Sequence, residues 1–192
     1  MSQATRGDVT PAASSGHHKV LIIDPSGESS WVDPNNMDIM LTDIDEEQLR
    51  VAVAEKLGVV YLSRVPADSA RFPVRGAVYG RMERSMVSLV VLRQATGMAV
   101  CVIFLVDTSS AYTYLSSAVY AALGYADSIP KATELKVHGI AAIVSPSPVD
   151  SHFADVNVLG QDFFRDGGVD LVVRHSRADK AVWLLRPARR WR

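Results

Sequence analysis

Asp107 stands where an uninterrupted apolar run ends. Ile103, Phe104, Leu105 and Val106 lead into it, and three hydroxyl residues, Thr108, Ser109 and Ser110, follow. Taken alone, Asp-Thr-Ser-Ser is the composition of a helix cap or turn, because these side chains bond readily to nearby backbone. At the end of an apolar strand it becomes a carboxylate fixed beside hydroxyl donors, a group suited to general acid–base work. A second carboxyl beside it would let one member act as a base while the other acts as an acid. Roughly fifty residues on, Val158, Leu159 and Gly160 run through Gln161 to Asp162 and then Phe163-Phe164.

Other chemistries find less support. Ser116, His152 and Asp162 make a Ser/His/Asp set on paper, but no Gly-x-Ser-x-Gly turn presents the serine. No Walker loop or Gly-x-Gly-x-x-Gly stretch is present, so no nucleotide cofactor is expected. His17-His18, His138 and His152 have no Cys or acidic cluster at ligand spacing around them, so no metal is expected. Cys101 is the single cysteine; it rules out an internal disulfide framework and reads as a buried thiol within Met98–Val106.

The elements that must position Asp107 read as mostly strands. Residues 1–18 are polar and form an expected disordered leader. From Lys19 an apolar run (Val20 to Ile23), a turn (Asp24 to Gly27) and a second strand candidate (Met37 to Leu41) precede a helix. Asp43 is its expected N-cap with Glu46 three residues on, Leu49, Val53 and Leu57 form its apolar stripe, and Gly58 ends it. With Val59–Leu62 as a further strand, residues 19–63 are an expected small α+β segment whose order resembles the start of a ubiquitin-like fold. Residues 64–75, with Pro66 and Pro73, read as a linker. Strand candidates then crowd together at 77–79, 86–92, 99–106, 135–137, 140–144, 156–159, 169–173 and 182–185. Short helices are expected at 116–123, capped by Ser116 or Ser117, and from Gly160.

The two stretches at 106–111 and 157–164, in this order, resemble the two signatures of the retropepsin-like (retroviral-type) aspartic proteases, with Ser109 where the family usually has glycine. The resemblance implies a mainly β acid-protease barrel over residues 76–185 with one or two short helices. It also implies an endopeptidase in which Asp107 meets Asp107 of a second chain across a two-fold axis, since one chain offers one such acid and no internal repeat supplies another. Thr108 matches the residue that braces the dimer. Ser109 keeps the backbone N–H of the triplet but adds a side chain in a crowded turn. Leu159, Gly160 and Asp162 match the second signature, with Gln161 where an Arg often stands. A flap should lie between them; the candidate is Asp127–Pro148, with Val137 and Gly139 at its strand–turn element, so Ala111, Val137 and Gly139 are the expected substrate contacts.

Composition fits that reading. The chain has 192 residues, is nearly half apolar and carries a formal net charge of −1. No overall basicity points to nucleic acid, although Arg186–Arg192 forms a basic tail of four arginines with Trp191. The longest apolar run, Met98–Val106, is too short to cross a bilayer, so no membrane partner is expected. Residues 1–16 have no apolar core of a secretory signal, so a cytoplasmic protein is expected. Peptide or protein substrate and a second copy are thus the expected partners. The alternative is a retropepsin-like dimerisation or peptide-binding module that has lost activity.

Overall fold

A computed structural model describes residues 20–23, 29–32, 44–80, 82–125, 128–149, 151, 153–174 and 182–187. The chain divides into two compact units, residues 1–39 and 40–192. In the first, β1 (Val20–Ile23) pairs antiparallel with β2 (Ser29–Val32), with Val20 opposite Val32. The leader, the strand expected at Met37–Leu41, Asp43 and residues 188–192 of the basic tail lie outside the described residues.

The second unit is mainly β. It opens with helix α1 (Glu46–Gln48), which continues through a π turn (Leu49–Val53) into α2 (Ala54–Leu57). The cap is Asp45, whose extended backbone lets its carboxylate accept from the Gln48 N–H at 2.7 Å. Gly58, at φ 67°, closes the helix in the left-handed conformation that a residue without Cβ adopts freely. Leu49, Val53 and Ala54 are buried in the same core as the strands, so this helix belongs with the barrel and not with the hairpin before it. Burying a Leu or Val in this way contributes about 1.5–3 kcal/mol.

Two expectations for the connection fail. Val59–Leu62 forms no strand: Val59 N–H turns back to the Ala54 carbonyl, and Leu62 sits at φ 60°. Residues 64–75 are not a free linker along their whole length, because Arg64 bridges Val100 and the Val65 N–H donates to the Ala99 carbonyl at 3.1 Å.

The strands that follow are β3 (Val74–Tyr79), β4 (Arg84–Arg93), β5 (Met98–Val106), β6 (Thr113–Leu115), β7 (Thr133–Val137), β8 (Ile140–Pro146), β9 (Val158–Leu159), β10 (Val169–Arg174) and β11 (Val182–Pro187). Helices α3 (Ser117–Ala122) and α4 (Gln161–Gly167) interrupt them. Strand order is β10-β11-β3-β4-β5-β9-β6-β8-β7, and β7 pairs again with β4, so six strands close a barrel. Every residue of β5 after Met98 is buried, the near-continuous apolar run of a strand covered on both faces. The barrel closes where Val91 of β4 meets Val137 of β7. β5 runs parallel to β9, Val106 opposite Leu159, and β6 runs parallel to β8, Thr113 opposite Val144. These two parallel pairs bring residues far apart in sequence to one end of the barrel, where β5 delivers Asp107.

Candidate active site

The Asp107 loop is built from backbone bonds to the second stretch. Asp107 N–H donates to the Leu159 carbonyl at 3.1 Å, continuing the β5–β9 pairing one step past the strand. Gln161 N–H donates to the Ser110 carbonyl at 2.9 Å, and its side-chain amide donates to the Thr108 carbonyl at 2.8 Å. Asp162 N–H reaches the Ala111 carbonyl at 3.3 Å. The loop from Thr108 to Ala111 is thus held from one side by two consecutive residues of another segment.

Side chains lock the same junction. Thr113 donates its hydroxyl to Asp162 Oδ1 at 2.6 Å and its backbone N–H to Asp162 Oδ2 at 3.0 Å. The Thr113 hydroxyl in turn accepts from Gly160 N–H at 3.1 Å. Asp162 Oδ1 also accepts from Phe163 N–H at 2.8 Å, fixing the first turn of α4. Gly160 has an ordinary negative φ of −88°; its requirement is space. A Cβ built there would overlap the Tyr112 carbonyl, a backbone group with nowhere to go.

One layer deeper, fully buried Asn157 ties the strands together. Its Oδ1 accepts from Ser116 N–H at 2.9 Å, and its amide donates to the Ile103 carbonyl at 3.0 Å and to the Tyr61 hydroxyl at 2.8 Å. Its carbonyl takes the Leu105 N–H at 2.8 Å. Burial pushes the Tyr61 phenol upward, and the bond to Asn157 partly opposes that shift.

At the centre, Ser109 donates twice to one carboxylate oxygen: its N–H at 2.9 Å and its hydroxyl at 2.6 Å, both to Asp107 Oδ1. Asp107 Oδ2 has no donor among the described residues. Asp107 is half-buried, while Thr108 and Ser109 are exposed. A carboxylate held this way has one oxygen oriented by the protein and the other open to water or to a second carboxyl.

The structure therefore brings Asp107, Thr108, Ser109, Ala111, Leu159, Gly160 and Asp162 together. It takes Val137 and Gly139 elsewhere. The expected flap candidate is the β7–β8 hairpin, and it forms barrel wall: β7 bonds to β4 and β8 bonds to β6. Val137 is fully buried, and the two-residue turn His138-Gly139, at φ 50° and 85°, is pinned to the scaffold. His138 Nδ1 accepts from the Val90 N–H at 3.4 Å, which leaves the proton on Nε2 to bond the Arg71 carbonyl at 2.9 Å. Burial holds this imidazole below its ordinary range. Such a turn has no freedom to close over a substrate.

Ser116 caps α3 by position, yet its hydroxyl makes no capping bond. Asp162 is committed to Thr113, and His152 lies outside the described residues. Cys101 is buried with its sulfur 3.0 Å from Ser88 Oγ, and burial raises its thiol. Arg186 lies 3.6 Å from Asp170. Among the described residues no helix is long and apolar enough to cross a membrane. Sequence reasoning missed Thr113, Asn157 and Tyr61; their role appears only when segments tens of residues apart are brought into contact. Comparison with protein-family models, curated proteins and solved structures gives no match.

Proposed function

We propose that this chain is an aspartic-type endopeptidase of the retropepsin-like kind, active as a homodimer through Asp107 of each protomer. The observation that carries the reading is the half-satisfied carboxylate: Ser109 holds Asp107 Oδ1 twice, Oδ2 has no donor among the described residues, and Gln161 and Asp162 clamp the loop beneath. Two such carboxylates facing each other share one proton, since like charges a few ångströms apart do not both ionise. The ionised member takes a proton from water as that water attacks the amide carbonyl, while the protonated member hydrogen-bonds the carbonyl oxygen; the dyad then protonates the amide nitrogen as the C–N bond breaks, leaving an amine and a carboxylic acid. Titration then belongs to the pair.

Ser109, the departure from the usual glycine, fits this scheme. Its backbone N–H still reaches the carboxylate, and the added hydroxyl turns back to the same oxygen instead of blocking the other. Thr108 is exposed on the loop, and in the homodimer it would meet the partner's loop.

A second reading has its own observation. The β7–β8 hairpin is built into the barrel wall and supplies no lid, and a site without a lid excludes water poorly. A dimerisation or peptide-binding module that hydrolyses nothing is consistent with that. Peptide-library cleavage at about pH 5, where a dyad of this type carries one proton, separates the two. Cleavage blocked by pepstatin and abolished by Asp107→Asn supports the peptidase; a folded, dimeric chain that cuts nothing supports the module.

A further inference from the structure

A groove of about 520 Å³ runs between α4 and the outward face of β8, on the flank of the Asp107 loop. Its apolar lining includes Ala141, Ile143 and Tyr112, with Ile143 69% and Tyr112 62% exposed. A lone exposed aliphatic residue is ordinary on a soluble protein. Two large ones lining one concavity of ligand size are a different observation.

The charges there are uneven. Arg165 is matched by Asp166 through bonds of 2.7 and 3.0 Å, and Asp162 is committed to Thr113. Glu134 is exposed and has no cationic partner among the described residues. It stands directly across the β7–β8 ladder from Ile143, so acid and aliphatic chain share one face. Thr113 offers Asp162 only neutral donors, so two acids of the groove, Asp162 and exposed Glu134, have no salt-bridge partner among the described residues, Lys136 on the same face of β7 included.

It is also continuous with the candidate site. Tyr112 ends the loop that Asp107 begins, and Asp162, which braces that loop, lines the groove. Tyr112 follows Asp107 by five positions, so the two lie at most about 17 Å apart, the reach of about five extended peptide residues.

We infer that this groove is a recognition site for an extended peptide carrying a basic residue two positions from an apolar one, so that both side chains face the groove, at most about five positions from the bond presented to Asp107. The apolar side chain packs on Ile143 and Tyr112, and the basic one reaches Glu134. Naming this peptide a substrate rests on the peptidase reading; its binding does not.

The test uses the full chain and two synthetic peptides that differ only in an Ile-Ser-Arg or Ile-Ser-Glu segment (the Ile-Arg and Ile-Glu peptides) within a Gly/Ser-rich host. NMR shift perturbation of Tyr112, Ala141 and Ile143 reports binding. The Ile-Arg peptide should bind about fivefold more tightly, and Glu134→Lys should invert that order, as reversing one exposed charge contact allows. Ile143→Ser should weaken both peptides. Equal binding, shifts confined to other surfaces, or an order unchanged by Glu134→Lys would overturn the inference. So would concentration-dependent shifts at Ile143 without peptide, which would assign the groove to a second copy of the chain. Placing the same pairs beside a cleavable bond separates the two readings. Cleavage that ignores Glu134→Lys sinks the groove alone, whereas Glu134-dependent binding without cleavage sinks the peptidase alone.

Discussion

The loop at Asp107 and the turn at His138 are both short, polar connections, and they use their polar groups in opposite ways. At His138 both ring nitrogens and the backbone N–H are bonded to Val90 or Arg71, and Phe72 stands edge-on to the ring at 4.8 Å. At Asp107 the backbone is clamped as tightly, yet one carboxylate oxygen is left open. A buried polar group whose partners are all internal is scaffold. A group fixed on one side and unpartnered on the other is prepared to meet something outside the chain. The histidine, although a familiar catalytic residue type, thus holds the barrel together, while the aspartate keeps one carboxylate oxygen without a donor among the described residues.

The largest effect should come from destroying the clamp under Asp107. Gly160→Ala drives a methyl group into the Tyr112 carbonyl, and overpacking against backbone should cost about 3 kcal/mol in urea denaturation. An undisturbed midpoint would mean that the junction is looser than its bonds indicate. Next is Asp162→Ala, which strands the Thr113 N–H and hydroxyl in a part-buried site; about 2 kcal/mol should be lost, and Asp162→Asn should recover part of it.

A smaller effect, confined to activity, sharpens the contrast from the other side. Ser109→Ala removes the 2.6 Å hydroxyl bond but keeps the N–H bond to Asp107. Loss of one charge-assisted bond should lower kcat about tenfold, with stability changed by less than about 0.5 kcal/mol. A large fall in stability would instead make Ser109 part of the scaffold.

The smallest is a slope. Because burial depresses the His138 imidazole below 6.5, the unfolded chain takes up a proton that the folded chain resists as pH falls through that value. Stability from the neutral ring is complete above pH 6.5 and declines below it until folded His138 itself protonates. His138→Asn, which tolerates the positive φ, should flatten the decline in urea midpoint between about pH 7.5 and 5.5. An equal slope in both proteins would remove His138 as its source.

How much of this was legible in the sequence depended on distance along the chain. β5 and Asp107 could be read because an apolar run and the acid ending it are adjacent, and Gly160 because 157–164 resembles the second signature of the retropepsin-like proteases. The helix at 46–57 was readable from its stripe, but its membership in the barrel core was not, since periodicity says which face is apolar and not what covers it. The cap was misplaced by two residues, from Asp45 to Asp43, in a stretch offering an acid at either position. Thr113 and Asn157 were invisible: their partners lie 41 to 54 residues away, or 96 for Tyr61 with Asn157, and isolated Thr and Asn carry no local pattern. The hairpin was readable as strand–turn–strand, while its place in the barrel wall followed only from the β4–β7 closure.

Mixing two kinds of chain distinguishes one active site shared between two chains from one site in each. Wild-type chain and Asp107→Asn chain, denatured together in equal amounts and refolded, should assort at random into dimers. If each site needs both carboxylates, peptide-cleaving activity per total chain should be about a quarter of that of wild type alone. About half would mean that each chain cuts by itself, and a shared Asp107 dyad would be wrong.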